Sequence, residues 1–281
     1  MIRPLRSCFL LLLLTCPVLA EAPFTIQPVG EESPQGFSRV FSKRVVVFRI
    51  PLYATSQTPD NKVLHAAGVL AQYLDNDADG KVDNERVVSM MIQNRAGMIM
   101  AATERSFQRL DVHRHIPERT WDRMILQGLY GEETIPGGIK SGKGDASLEE
   151  VLHLVTHAGY AHVYPRDLGE RPGTQLALAM DKARGGHFRR VPARYPPTAW
   201  YTYDDRSCDY GCQITEYIYW GLTSLLGGQQ YPGRLNNIQH EWRLNTAEKL
   251  KQGDPALYKI LSDPKYKFPT RLPDGKYAAR P

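Results

Sequence analysis

The hydrophobic pattern changes period several times along the chain. Residues 43–54 contain the β-branched run Val45-Val46-Val47-Phe48-Arg49-Ile50, closed by Pro51, which predicts a strand. From Asn61 the apolar positions Val63, Leu64, Ala67, Leu70, Ala71 and Leu74 fall on one helical face. That helix runs into an acidic stretch, after which Val87, Val88, Met91, Ile92 and Met98 predict a second helix reaching about Ala102. Residues 124–130 are strand-like, and the glycines at 137–144 mark a loop. Helices are expected near 147–160, 174–184, 213–226, 235–251 and 255–262, followed by a Pro- and Gly-containing tail from Lys265 that wraps the surface. The expected fold class is therefore mainly α, with few strands and one helix-loop-helix. The glycine-rich loop is the only candidate boundary, dividing residues 21–140 from residues 141–281.

The first 20 residues change this picture. A basic opening with Arg3 and Arg6, an apolar run from Cys8 to Leu14 and small residues ending at Ala20 have the form of a secretory signal peptide, with the cut expected after Ala20. The run is too short for a membrane span, which needs roughly 20 apolar residues. The expected product is exported, to periplasm or medium. The full chain carries 35 Lys and Arg against 30 Asp and Glu, and losing Arg3 and Arg6 leaves 33 against 30. That mild balance, with no run of basic residues interleaved with aromatics, argues against nucleic acid as a partner. Cys208 and Cys212 are the cysteines left beyond residue 20; in an oxidising compartment a local disulfide is the first reading, with a soft-metal site or free thiols as the alternatives.

Two segments carry candidate chemistry. In Asp75-Asn76-Asp77-Ala78-Asp79-Gly80-Lys81-Val82-Asp83, the residues Asp75, Asp77, Asp79, the carbonyl of Lys81 and Asp83 occupy positions 1, 3, 5, 7 and 9 of a calcium loop. Gly80 stands at position 6, where the chain must turn sharply, and Val82 at position 8. The segment resembles an EF-hand loop, and the resemblance implies calcium as the ligand. It departs from the pattern at position 12, where Arg86 replaces the bidentate Glu; Glu85, one residue earlier, is the candidate substitute. A solvated acidic turn is the bland reading. A single hand points to a static structural site rather than a switch.

The second segment is Ser147-Leu148-Glu149-Glu150-Val151-Leu152-His153-Leu154-Val155-Thr156-His157. His153 and His157 are four apart and share a helical face, as zinc ligands do in H-E-x-x-H. Leu154 fills the place of the catalytic Glu. At about 100° per residue, Glu150 and Glu149 point within about 60° and 40° of His153, on either side of it. Either acid is placed to ligate or to polarise water, although Ser147-x-x-Glu150 also reads as a capping box. Glu216 is the lone acid in the apolar helical stretch from Ile214 to Leu226. The combination weakly resembles the gluzincin branch of zinc metallopeptidases over residues 147–226. That resemblance implies His153, His157 and Glu216 as zinc ligands, Glu150 as a displaced catalytic base, and Tyr217 or Tyr219 as transition-state donors.

The functional expectation is an exported calcium-binding protein with a metallopeptidase-like hydrolase centre acting on peptide or polysaccharide. The alternative is a non-enzymatic calcium-binding structural or interaction protein whose histidine helix is a degenerate metal site.

Overall fold

The valine run folds back on itself. In the computed structural model, which describes residues 24–279, Lys43–Val47 (β2) and Ile50–Ala54 (β3) form an antiparallel hairpin. Its two turn residues, Phe48 and Arg49, both have positive φ, 45° and 73°, the geometry for which Asn-Gly is the usual choice. Gln27–Pro28 (β1) pairs with the outer edge of β2. On the other side, Gly97–Ala101 (β4) and Leu126–Tyr130 (β5) add in parallel, so the mixed sheet has the order β1-β2-β3-β4-β5. The signal-peptide segment and its expected cut lie outside the described residues.

This sheet overturns the mainly α expectation. The described fold is α+β, 41 % helix and 10 % strand, built on a five-stranded mixed sheet. The decisive difference is at β4. The apolar pattern carries a helix through Met98 to about Ala102, but the helix Glu85–Gln93 (α2) ends earlier, and Gly97–Ala101 is a central strand buried at every residue. A strand covered on both faces reads as a continuous apolar run, which periodicity alone does not separate from a buried helix.

The two faces of the sheet have different covers. Val45, Val47, Leu52, Met98, Met100 and Leu129 face the main core, which also receives the helices Asp60–Leu74 (α1), Ser147–Val155 (α3) and Tyr210–Leu225 (α4). That core draws on residues from Val45 to Tyr277, so both sides of the glycine-rich loop contribute to it. Tyr53 and Ile99 point the other way, against Phe37, Phe41 and Ile116. The helix expected over 235–251 is broken into Arg234–Ile238 and Ala247–Gly253.

The tail from Lys265 wraps as expected and docks on the acidic loop. Asn76 Oδ1 accepts from the Thr270 and Arg271 amides at 2.9 Å each, and Lys267 Nζ donates to the Asp83 carbonyl at 2.7 Å. Gly68 lets the tail approach α1: a Cβ there would meet the Gly275 carbonyl oxygen at 2.2 Å.

Candidate functional site

After α3 the chain widens into a π turn, Thr156–Tyr160, which packs against α2. Gly159 makes that contact, since a Cβ would meet Val87 Cγ1 at 2.7 Å. The expected capping box is not formed. Ser147 gives its hydroxyl and amide to Asp145 Oδ1, and α3 has no side-chain cap. Glu150 instead accepts from Gln127 Nε2 on β5, at 2.5 Å. Both acids of the first turn are thereby left for the face that carries His153.

His153 is the centre of the site. Its side chain is 7 % exposed, with Nδ1 3.6 Å from Glu150 Oε2 and Nε2 3.6 Å from Glu216 Oε2. Nε2 is buried without a hydrogen-bond partner among the described residues. Glu149, His153 and Glu216 each bring one ligand atom into a group within 4.8 Å of one another. The Tyr219 ring stands edge-on to the imidazole, centroids 5.8 Å apart. Tyr217 turns away to Asp254 Oδ2, at 2.5 Å.

The electrostatics follow from three acids packed round one imidazole. Burial, then repulsion from Glu216, pushes Glu149 up to about 8. Burial works to lower the His153 pKa, but Glu216, helped by Glu150 and Glu149, outweighs it and raises His153 to about 9. Burial also raises Glu216, opposed by His153 and the Tyr203 hydroxyl. With both Glu149 and His153 raised, the folded state binds more protons than the unfolded chain through neutral pH, so metal-free stability falls as pH rises. The Glu149 contribution is complete below its unfolded value near 4.5 and is lost as pH passes about 8; that of His153 is complete below 6.5 and is lost through about 9. Melting curves in chelator from pH 6 to pH 9 are expected to decline monotonically. Flat curves would refute these assignments.

His157 lies on the wall of the same cavity but not in the three-residue group. Its ring nitrogen Nδ1 is bound to Glu170 Oε2 at 2.5 Å, and its side chain is 48 % exposed. The Glu170 hydrogen bond raises the His157 pKa against burial. The cavity, about 460 Å³, is also lined by Gln127, Asp209 and Thr215. Cys212 also lines it and lies at disulfide distance from Cys208, S–S 2.00 Å and Cα–Cα 5.4 Å. With Asp209 accepting from the Cys212 amide at 2.9 Å, the pair fixes the start of α4 and hence Glu216. Glu170 and Gln127 carried no sequence signal, because each sits alone in a loop or strand far from the histidines. Leu154, in the motif position of the missing Glu, is fully buried in the main core.

The acidic loop joins α1 to α2. Asp75 is fully buried, and its carboxylate accepts from the Asp79 and Gly80 amides, at 3.1 and 2.8 Å, and from the Tyr277 hydroxyl at 2.6 Å. Gly80 takes φ 85°, the turn required at position 6. Asp75, Asp77 and Asp79 bring carboxylate oxygens within 4.8 Å of one another. Asp83 accepts from the Asn76 amide at 2.8 Å, and burial, with repulsion from the other three Asp residues, raises its pKa. Lys81 donates its amide to Asp79 Oδ1 at 2.8 Å. Glu85 stands exposed in the first turn of α2, outside the three-Asp group. Arg86 lays its guanidinium over the Tyr164 ring, 5.3 Å from its centroid. No described helix is long and apolar enough to cross a membrane. No protein-family model, curated protein or solved structure matches the chain, so both resemblances rest on the motif residues themselves.

Proposed function

We propose that this is an exported metal-dependent hydrolase, with a divalent cation of the zinc class held by Glu149, His153 and Glu216 and with a structural calcium in the acidic loop. The observation that carries the reading is the His153 Nε2 atom, buried without a partner and directed at the Glu216 carboxylate inside a cluster of acids. A buried donor or acceptor left unpaired costs about 1–3 kcal/mol, and like charges in one pocket repel; a cation relieves both. One imidazole and two carboxylates form a donor set that zinc and its neighbours accept.

Such a cation supplies Lewis acidity and acidifies water. The chain supplies the rest. Glu150, fixed by Gln127, is the candidate base beside His153. The Tyr203 hydroxyl beside Glu216 and the His157–Glu170 pair on the cavity wall are the candidate proton donors. The polar lining suits a peptide or polysaccharide better than an apolar ligand. Export rests on the signal-like residues 1–20 and on the cysteine pair at disulfide distance.

The test is elemental analysis of the purified protein after loading with zinc, manganese or ferrous iron. One tightly held ion per chain besides calcium is expected, lost in His153→Ala and in Glu216→Gln and kept in Glu150→Gln. The last variant is expected to lose hydrolysis by about 100-fold or more, the usual contribution of a positioned acid–base group. A wild-type chain that retains no second ion would end the proposal. Retention of the ion with unchanged turnover in Glu150→Gln would leave a metal site but remove the base.

A further inference from the structure

On the face of the sheet opposite the histidine cavity, arginines from four separate segments converge. Arg44 on β2, Arg49 in the β2–β3 turn, Arg95 in the turn between α2 and β4, and Arg119 and Arg123 beyond β4 line a cavity of about 610 Å³. One acid faces them: Glu32 pairs with Arg44 at 2.5 Å. Arg119 reaches Gln35 Oε1 at 3.4 Å. Among the described residues, Arg49, Arg95 and Arg123 pair with no carboxylate.

We propose that this cavity binds a small ligand through a tetrahedral oxyanion, the phosphate or sulfate group of an ester or the free ion. Three independent features support the assignment. Like charges gathered into a concavity repel unless an anion joins them, and the guanidinium fork matches the paired oxygens of such a group. Arg44 Nε and Ser33 Oγ, both on the cavity wall, are buried, and apart from the Tyr53 hydroxyl beside them they have no hydrogen-bond partner among the described residues. Arg49 and Arg95 hold left-handed backbone, φ 73° and 49°. Glycine or asparagine adopts that conformation at less cost, and here both strained positions present a guanidinium to the cavity. Strained residues of this kind cluster at ligand sites.

The site is independent of the metal reading, being on the other side of the sheet. The test is calorimetry and thermal melting of the full chain with inorganic phosphate, inorganic sulfate, a sugar monophosphate and a sugar monosulfate, against acetate and chloride at matched ionic strength. Saturable binding of at least one tetrahedral oxyanion is expected, with a melting temperature raised by several degrees. Arg95→Gly is expected to weaken that binding at least 10-fold while leaving the unliganded melting temperature unchanged or higher, because the backbone strain is relieved. Arg44→Gln is expected to weaken it similarly, and exposed Lys259→Gln to leave it alone. An ester that binds more tightly than the inorganic ion identifies an ester ligand, and equal affinity identifies the free ion; both support the site. Tetrahedral anions that act no differently from chloride, or undiminished binding in Arg95→Gly, overturn it.

Discussion

Asp75→Ala is expected to lower the melting temperature by roughly 6–12 °C and to abolish any response to calcium. The first part follows from hydrogen bonds alone. Asp75 is fully buried, and its carboxylate is the shared acceptor for the Asp79 amide, the Gly80 amide and the Tyr277 hydroxyl. Removing it leaves three donors to find new partners, at ~1–3 kcal/mol for each that stays buried and unpaired. A net loss of about 3 kcal/mol shifts the midpoint of a domain this size by about 2–4 °C per kcal/mol. The loss also loosens the tail, because Tyr277 is its last anchor on the loop. The second part belongs to the proposed calcium. An ion present at 100 times its dissociation constant adds about 2.7 kcal/mol to the wild type, and the variant lacks the position-1 ligand. Calcium titrations of both proteins by thermal melting separate the two parts. If neither curve moves, the loop is an acidic turn held by its own amides and the tail, and the drop caused by the substitution survives on hydrogen-bond grounds.

Why the loop was so readable in the sequence, and the sheet less so, has a physical explanation. The Asp spacing, Gly80 and the helix ending at Leu74 encode local geometry, and local geometry survives tertiary packing. The Arg86 departure was equally legible; its destination over Tyr164 was not, since Tyr164 lies 78 positions away in sequence. For the histidine helix, the angular argument puts Glu149 and Glu150 on either side of His153 and the lone acid in an apolar stretch draws attention to Glu216; all three carboxylates lie near the imidazole. The π turn was not visible. It belongs to the packing of Gly159 against Val87, and with Glu170 it leaves His157 on the wall of the cavity rather than in the group with His153. β4 was lost because burial on both faces erases period-2 alternation. The arginine cavity was invisible for a similar reason: its residues come from distant segments, and no local run of basic residues announces them.

Leu154→Glu, the substitution that would restore H-E-x-x-H in sequence, is expected to unfold the protein rather than improve it. Helix geometry explains why. The acids that face the cavity lie within about 60° of the His153 direction, whereas position 154 is rotated by about 100°, and Leu154 is fully buried in the main core with Val151, Val155 and Ala158. A carboxylate placed there loses its hydration without gaining a partner, and the leucine's own packing is lost as well. Truncating a buried leucine costs about 2–5 kcal/mol, and an unpaired buried acid adds several more unless it takes up a proton. The total is comparable to the whole stability of an ordinary domain, about 5–15 kcal/mol. Circular dichroism and soluble yield are expected to show a largely unfolded or aggregated product, with no gain in hydrolysis. A folded Leu154→Glu variant with wild-type melting would mean that position 154 faces the cavity, as in a true H-E-x-x-H helix. The base would then have to be sought there, and the assignment of Glu150 would fall. The expected collapse points the other way: on this helix the carboxylates that lie beside His153 come from the turn before it, and position 154 belongs to the core.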